Sequence, residues 1–259
     1  MNVALMCMAM NEDNYIDEWI EYHRKLGVSK FVIYQNNWRY KGKYTDRDFV
    51  ELIEFDGTHK HMESFNNFIR DYHDKFDWAG FIDVDEFVVL KNHNNISDFL
   101  AEYNDYEAVG LNWNMIGSNG LEFNGEYSVL KRFTKCRKQL HSTIKCFINF
   151  NRAKNTLHFR CPHNVEEHNK IISVDKTHFI NAHADENNAN NRNIAYINHY
   201  YTKTKQEWQN KVLRNWVGAQ GRFIDKKEYD EYYNSVNTLE FREYEDLTAY
   251  NFMYGDNKS

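Results

Sequence analysis

The chain has 259 residues, of which 42% are hydrophobic and 16% aromatic, and a formal net charge of -6. That apolar content supports a sizeable core and excludes a disordered chain of low hydrophobicity. The acidic balance argues against a nucleic-acid partner, which needs a basic face.

Residues 3–10 form an unbroken apolar run. Such a run suits a strand buried on both faces, as in a parallel sheet. The polar cluster Asn11-Glu12-Asp13-Asn14 follows, with the composition of a helix cap. Ile16, Trp19, Ile20, His23 and Leu26 then keep helical spacing, and Gly27 stands where a helix ends. Residues 30–35 read as a second strand, so the opening is β-α-β, with a right-handed crossover expected. A third strand is expected at 49–55. A helix then carries Phe65, Phe68, Ile69, Tyr72 and Phe76 on one face. Residues 78–84 read as a central strand ending in Asp83-Val84-Asp85-Glu86.

This pattern describes an open α/β sheet. Ligands of such sheets bind beyond the carboxyl ends of the strands. Asn11-Glu12, Gln35-Asn36-Asn37 and Asp83-Val84-Asp85 all fall at those ends. Farther on, residues 106–114, 127–133, 143–150, 155–160 and 171–180 resemble short strands. Thr204-Lys205-Gln206-Glu207 has the form of a capping box, followed by Trp208, Val212 and Trp216 at four-residue spacing. A further helix is expected over about 226–236. The expected organisation is one domain over 1–217 with a helical C-terminal extension over 218–259 packed on it.

Side chains two apart on a strand share a side, so Asp83 and Asp85 are expected to approach one ligand together. Two adjacent carboxylates are costly to bury unless a cation or hydrogen bonds compensate. Oxygen-rich sites of this kind suit Mg²⁺ or Mn²⁺ with phosphate oxygens completing the shell. Asp-x-Asp alone is weak; at the end of an apolar strand in a β-α-β context it is moderately specific. Imidazole suits Mn²⁺ as a further ligand, and His199 follows an apolar-mixed segment. A histidine hydrogen-bonded in the core is about as good a reading of that residue. His59-Lys60-His61 reads as a polar turn rather than a metal site. Trp113 reads equally as a sugar platform or a buried aromatic.

The ordered set Met10-Asn11-Glu12, Glu18-Trp19, His23, Tyr34-Gln35-Asn36-Asn37, Phe81-Ile82-Asp83-Val84-Asp85-Glu86-Phe87, Trp113, Gly117-Ser118, Lys145, His163 and Asn198-His199-Tyr200-Tyr201-Thr202-Lys203 resembles a known family. It is similar to the GT-A-fold nucleotide-sugar glycosyltransferases, in the bacterial family-2-like group related to glycosyltransferase family 92. The resemblance covers about residues 3–217. It implies an open, mostly parallel twisted sheet flanked by helices, with the C-terminal helices as an appendage. It also implies that Asp83 contacts ribose or metal, that Asp85 ligates the metal, and that His199 is a third ligand. Asn11, Glu12 and Asn36 would line the nucleoside pocket. Asn67, Arg70 and Lys203 would face the diphosphate or sugar, and Trp113 and His163 the acceptor. The implied donor is a UDP-sugar, UDP-galactose or UDP-glucose as first guess, and inversion is favoured. The implied acceptor is a glycan such as lipopolysaccharide or capsule.

An inverting transferase needs a base for the acceptor hydroxyl. Glu166, Glu167, Asp185 and Glu186 are candidates by position only. A sugar-nucleotide-forming nucleotidyltransferase would carry a glycine-rich phosphate loop after the first strand, where this chain has Asn11-Glu12-Asp13-Asn14. A non-catalytic carbohydrate-binding module would not need the carboxylate pair, whereas a metal-dependent hydrolase would use it.

Cys7, Cys136, Cys146 and Cys161 make no C-x-x-C pair, so a cysteine zinc cluster is not expected and a reducing compartment is. No leader and no run of roughly 18 apolar residues is seen, so a cytoplasmic location is expected. The apolar side chains of 239–253 suit docking on the core, a second subunit or, peripherally, a membrane.

Overall fold

The computed structural model describes residues 1–153, 158–165, 171–180, 191–213 and 225–255. In chain order the elements are β1 (Val3–Ala9), α1 (Ile16–Lys25), β2 (Lys30–Gln35), β3 (Val50–Glu54), α2 (His61–Tyr72), β4 (Trp78–Phe81), β5 (Glu86–Leu90), α3 (Ile96–Ala101) and β6 (Ala108–Met115). There follow α4 (Val129–Arg132), β7 (Lys135–Cys136), β8 (Ile144–Asn149), β9 (Phe159–Cys161), β10 (Asn164–Val165), β11 (Ile171–Ser173) and β12 (Phe179–Ile180). The last are β13 (Ala195–His199), α5 (Lys205–Leu213), α6 (Lys226–Ser235), β14 (Tyr244–Glu245) and α7 (Thr248–Tyr254).

The main sheet runs β12-β11-β6-β8-β4-β1-β2-β3, and β13 pairs with β5 and β6. Strands β3, β2, β1 and β4 are mutually parallel, and β8 lies antiparallel between β4 and β6. This is the mostly parallel α/β sheet, flanked by helices, that the opening pattern predicts. The period-two alternation of each strand divides its two faces. Ala4, Met6, Val32, Tyr34, Ala79 and Phe81 pack with Phe65, Phe68 and Ile69 of α2. On the other face Trp19 of α1 meets Phe31 edge-on at 5.5 Å.

The expected cap of α1 is not made by side chains. Its N-cap is Tyr15, and the carbonyl of Glu12 accepts from the N–H groups of Tyr15 and Ile16 instead, each at 3.0 Å. Gly27 follows the helix at φ +98°, the left-handed conformation that glycine adopts most readily. Residues 127–133, expected as a strand, hold the short helix α4: Ser128 caps it by accepting from the N–H of Lys131.

Contacts divide the chain into two compact units, residues 1–113 with 140–197, and 114–139 with 198–259. The expected boundary at 217 is therefore displaced, and the second unit is discontinuous. Its two segments are joined by hydrogen bonds that no local pattern announces. Asn237 Oδ1 accepts from the N–H of Ser118, Leu121 O accepts from that of Lys205 at 3.2 Å, and β14 pairs with β7. The capping box of α5 is formed as expected: Glu207 N–H donates to Thr204 Oγ1 at 3.2 Å and Thr204 N–H to Glu207 Oε2 at 2.9 Å. Trp216 lies outside the described residues.

Among the described residues, no helix is long and apolar enough to cross a membrane.

Candidate active site

β4 ends at Phe81, and the chain turns before β5 begins at Glu86. The N–H of Glu86 donates to Asp83 O at 3.0 Å, closing a turn over Asp83-Val84-Asp85-Glu86. Asp83 and Asp85 thus sit on a turn and not on an extended strand, so strand alternation does not explain their pairing. The turn still lies at the carboxyl end of the strand, where ligands of parallel sheets bind.

Two side chains from distant parts of the sequence, and one from within the turn, meet Asp83. Lys145 of β8 donates from Nζ to Asp83 Oδ2 at 2.8 Å and lies 3.4 Å from Glu86 Oε2. Its side chain is 0% exposed, as is that of Glu86, whereas that of Asp83 is 31% exposed. Glu86 Oε2 accepts from the N–H of Asp83 at 2.8 Å. His61, the first residue of α2, places Nε2 3.5 Å from Asp83 Oδ1. His61 therefore does not belong to an unattached polar loop, and it brings the amino end of α2 to the carboxylate turn.

These contacts set the charge states. Burial would raise the Asp83 carboxyl, but the Lys145 ammonium and His61 hold it well below the usual carboxylate range. Burial pushes the Glu86 carboxyl well up; Lys145 opposes this, and Asp83 and Asp85 add to it. Glu86 Oε1 is buried without a hydrogen-bond partner, which suits a neutral carboxyl. Burial disfavours the Lys145 ammonium, yet Asp83 and Glu86 keep it charged. Lys145 and Asp83 thus support each other's charged forms, while burial favours the neutral form of Glu86.

The rim next to this turn comes from β1. Asn11 takes φ +58° after the strand and is exposed. Burial, with Asp83 and Glu12 adding, raises the Cys7 thiol well above its usual value. Cys7 is thus an inert core residue. Asn36 is buried, and its amide is engaged: Nδ2 donates to Phe55 O at 3.1 Å and Gly57 O at 2.8 Å, while Oδ1 accepts from Asn37. It ties down the turn after β3.

Asn67 and Arg70 are not brought to the carboxylates. Nine residues separate Arg70 from His61 on α2, about 13 Å along a helix axis. The guanidinium instead binds both oxygens of Asp71 and donates to Asn67 Oδ1 at 2.9 Å. Trp113 and His163, fifty residues apart in sequence, do meet: their rings lie 5.0 Å apart at 87°. His163 Nδ1 is 3.0 Å from Ile144 O. Register pairs Leu111 with Lys145, so Trp113, two residues along β6, falls on the sheet face that carries Lys145.

His199 and Lys203 belong to the second unit. His199 is buried, with its ring 5.2 Å from Tyr201, and its carbonyl accepts from the N–H of Ile116 at 3.0 Å. Lys203 takes φ +53° just ahead of α5. Among the described residues, no group of three His, Cys, Asp or Glu side chains is arranged to hold a metal. The remaining donors still fit Mg²⁺ or Mn²⁺, which are commonly held by one or two carboxylates plus substrate phosphates. Asp83 and Asp85 are both partly exposed on the turn. Glu166, Glu167, Asp185 and Glu186 lie outside the described residues.

The sequence pattern missed Glu86 and His61 as parts of this arrangement. The signal for Glu86 is a carboxylate that opens an apolar strand. For His61 it is a position one turn ahead of the Phe65-Phe68-Ile69 periodicity.

The model of glycosyltransferase family 92 matches residues 4–236. A glycosyltransferase family 92 protein of Ricinus communis is 24% identical over 229 residues, covering 82% of this chain and 37% of that protein. One of Oryza sativa subsp. japonica is 25% identical over 122 residues, covering 42% of this chain and 20% of that protein. The chain thus spans little more than a third of the Ricinus relative's length. The crystal structure of S. aureus TarS 1-349 is 12% identical and covers 90% of this chain and 69% of that one, with a TM-score of 0.41.

Proposed function

The chain belongs to glycosyltransferase family 92, and from that membership we propose that it transfers a sugar from a nucleotide sugar to a glycan hydroxyl, with the Asp83–Glu86 turn as donor site. The observation that carries this reading is the carboxylate turn at the carboxyl end of β4, charge-balanced from within by Lys145. A nucleoside diphosphate sugar needs a cation beside its phosphates and a polar rim for its nucleoside, and a sheet end of this kind supplies both places.

Asp85, with Asp83 beside it, would hold the divalent cation. When bound, that ion neutralises charge developing on the leaving diphosphate. Asp83 orients the donor with a carboxylate kept ionised by Lys145. The loop at Asn11 and Glu12 bounds the nucleoside side. Trp113, braced by the His163 ring, offers its indole to the apolar face of an acceptor sugar. The donor in this reading is a UDP-sugar, with UDP-galactose and UDP-glucose as the first to test, and the favoured course is inversion. A bacterial lipopolysaccharide or capsule acceptor rests on the sequence resemblance alone; the relatives named above are plant proteins.

The test is direct. The protein is incubated with Mn²⁺ and a panel of sugar nucleotides, with and without oligosaccharide acceptors, and nucleoside diphosphate release is followed. Release from one donor, lost on chelation and restored by Mn²⁺, is the expected result. No release from any donor overturns the reading.

A further inference from the structure

We propose that Lys145 is a positioning residue for the donor: its buried ammonium fixes the Asp83 carboxylate and, through it, sets donor affinity. The inference rests on the function proposed above and goes beyond it, because Lys145 has no surface from which to touch a substrate.

The geometry carries the argument. The Lys145 side chain is wholly buried, so its charge is spent inside the protein. Its donors reach Asp83 Oδ2 at 2.8 Å and Glu86 Oε2 at 3.4 Å, the two carboxyls that bracket the turn. Glu86 Oε2 in turn accepts from the backbone N–H of Asp83. Side chain and backbone of Asp83 are thus held from one buried cluster, while its other oxygen, Oδ1, lies 3.5 Å from His61 Nε2. A charge-assisted hydrogen bond of this length fixes orientation as well as adding energy. β8, which carries Lys145, is hydrogen-bonded to β4, which leads into the turn. The donor of that bond is therefore as rigid as the sheet.

A purely structural ammonium would predict something different. Removing one partner of a buried ion pair is strongly destabilising, whereas replacing both by uncharged groups of similar size is often neutral. The variants K145M and K145M/E86Q separate the two. K145M leaves the Asp83 carboxylate without its cation and should lower the thermal midpoint. In K145M/E86Q the Gln oxygen still accepts from Asp83 N–H and its amide supplies a neutral donor beside the carboxylate, so the midpoint should recover toward the wild-type value.

Steady-state kinetics with a saturating acceptor then separates the roles. We expect the refolded-in-stability K145M/E86Q enzyme to show a donor KM raised about tenfold or more, the effect of losing a hydrogen bond to a charged group. The kcat and the acceptor KM should change much less, because what is lost is binding common to ground and transition states. Calorimetry with UDP and Mn²⁺ should show the same weakening without turnover. A stable K145M/E86Q enzyme with unchanged donor KM overturns the inference and leaves the transferase function intact. A K145M/E86Q chain that does not fold overturns it too, by assigning Lys145 to stability. A wild-type protein without turnover on any donor removes the proposed function itself, and the inference with it.

Discussion

The indole N–H of Trp19 donates to the carbonyl oxygen of Glu86 at 2.9 Å, tying the first helix to the residue that closes the carboxylate turn. Two neighbours on α1 extend this clamp. Tyr22 donates its hydroxyl to Val88 O at 2.7 Å, and His23 Nε2 accepts from the N–H of Val88 at 3.1 Å. Trp19 and His23, conspicuous in the sequence, are thus structural: they hold the strand that leaves the turn.

His23 gives a pH prediction. Burial lowers its pKa from 6.5 to about 3, with the hydrogen bond to Trp19 O opposing. The unfolded chain therefore binds a proton between about pH 6.5 and 3 that the folded chain does not. Stability from this group is complete above pH 6.5 and declines as pH falls through that window, by up to about 1.4 kcal/mol per unit. Urea unfolding of His23→Gln against wild type should show a weaker acid decline in the variant. Parallel declines would exclude His23 as the source.

Asp85→Ala is expected to abolish Mn²⁺-dependent donor binding with the far-ultraviolet circular dichroism unchanged. Asp85→Glu should fail as well, because the octahedral shell of a small divalent cation tolerates little displacement. Calorimetry with the donor and Mn²⁺ checks both; wild-type affinity in either variant would remove Asp85 from the metal.

Trp113→Ala should raise the acceptor KM about fivefold to tenfold, the scale of one lost aromatic contact. The donor KM should stay put. Kinetics at a fixed saturating donor tests this, and an unmoved acceptor KM would place Trp113 outside the acceptor wall.

Gly117→Ala tests the second unit. A β-carbon there would come within 2.2 Å of the carbonyl oxygen of Val236, so backbone must shift. A loss of about 1–3 kcal/mol is expected from such overpacking. Chemical denaturation measures it, and a neutral result would show that the 236–237 segment yields freely.

Much of the first unit was legible because its signals are local. The apolar run at 3–10 and the segment 30–35 read as strands, and they hold β1 and β2. The periodicity of Phe65, Phe68 and Ile69 marked α2. What escaped was set by distant partners. The strand pattern carried β4 as far as Val84, yet the turn begins earlier because Glu86 bonds back to Asp83. His61 looked like a loop residue, since nothing in its neighbours shows that Asp83 will face it. The segments 114–139 and 198–259 associate through side chains such as Asn237, whose bond to Ser118 spans more than a hundred residues. Asn36 and Arg70 show a related point: polar side chains near a site are readily engaged by backbone and neighbours that the local sequence does not announce.

The insertion of β8 between β4 and β6 has a consequence for how the protein forms. Loop closure must be completed across more than sixty residues before Lys145 reaches Asp83, and such non-local pairings slow folding. A nascent chain that has emerged only through β6 already carries Asp83, Asp85 and Glu86 but not their internal cation. The carboxylate turn is therefore among the last parts of the first unit to become electrostatically complete. A fragment ending before residue 145 should lack it however well β1 to β4 assemble.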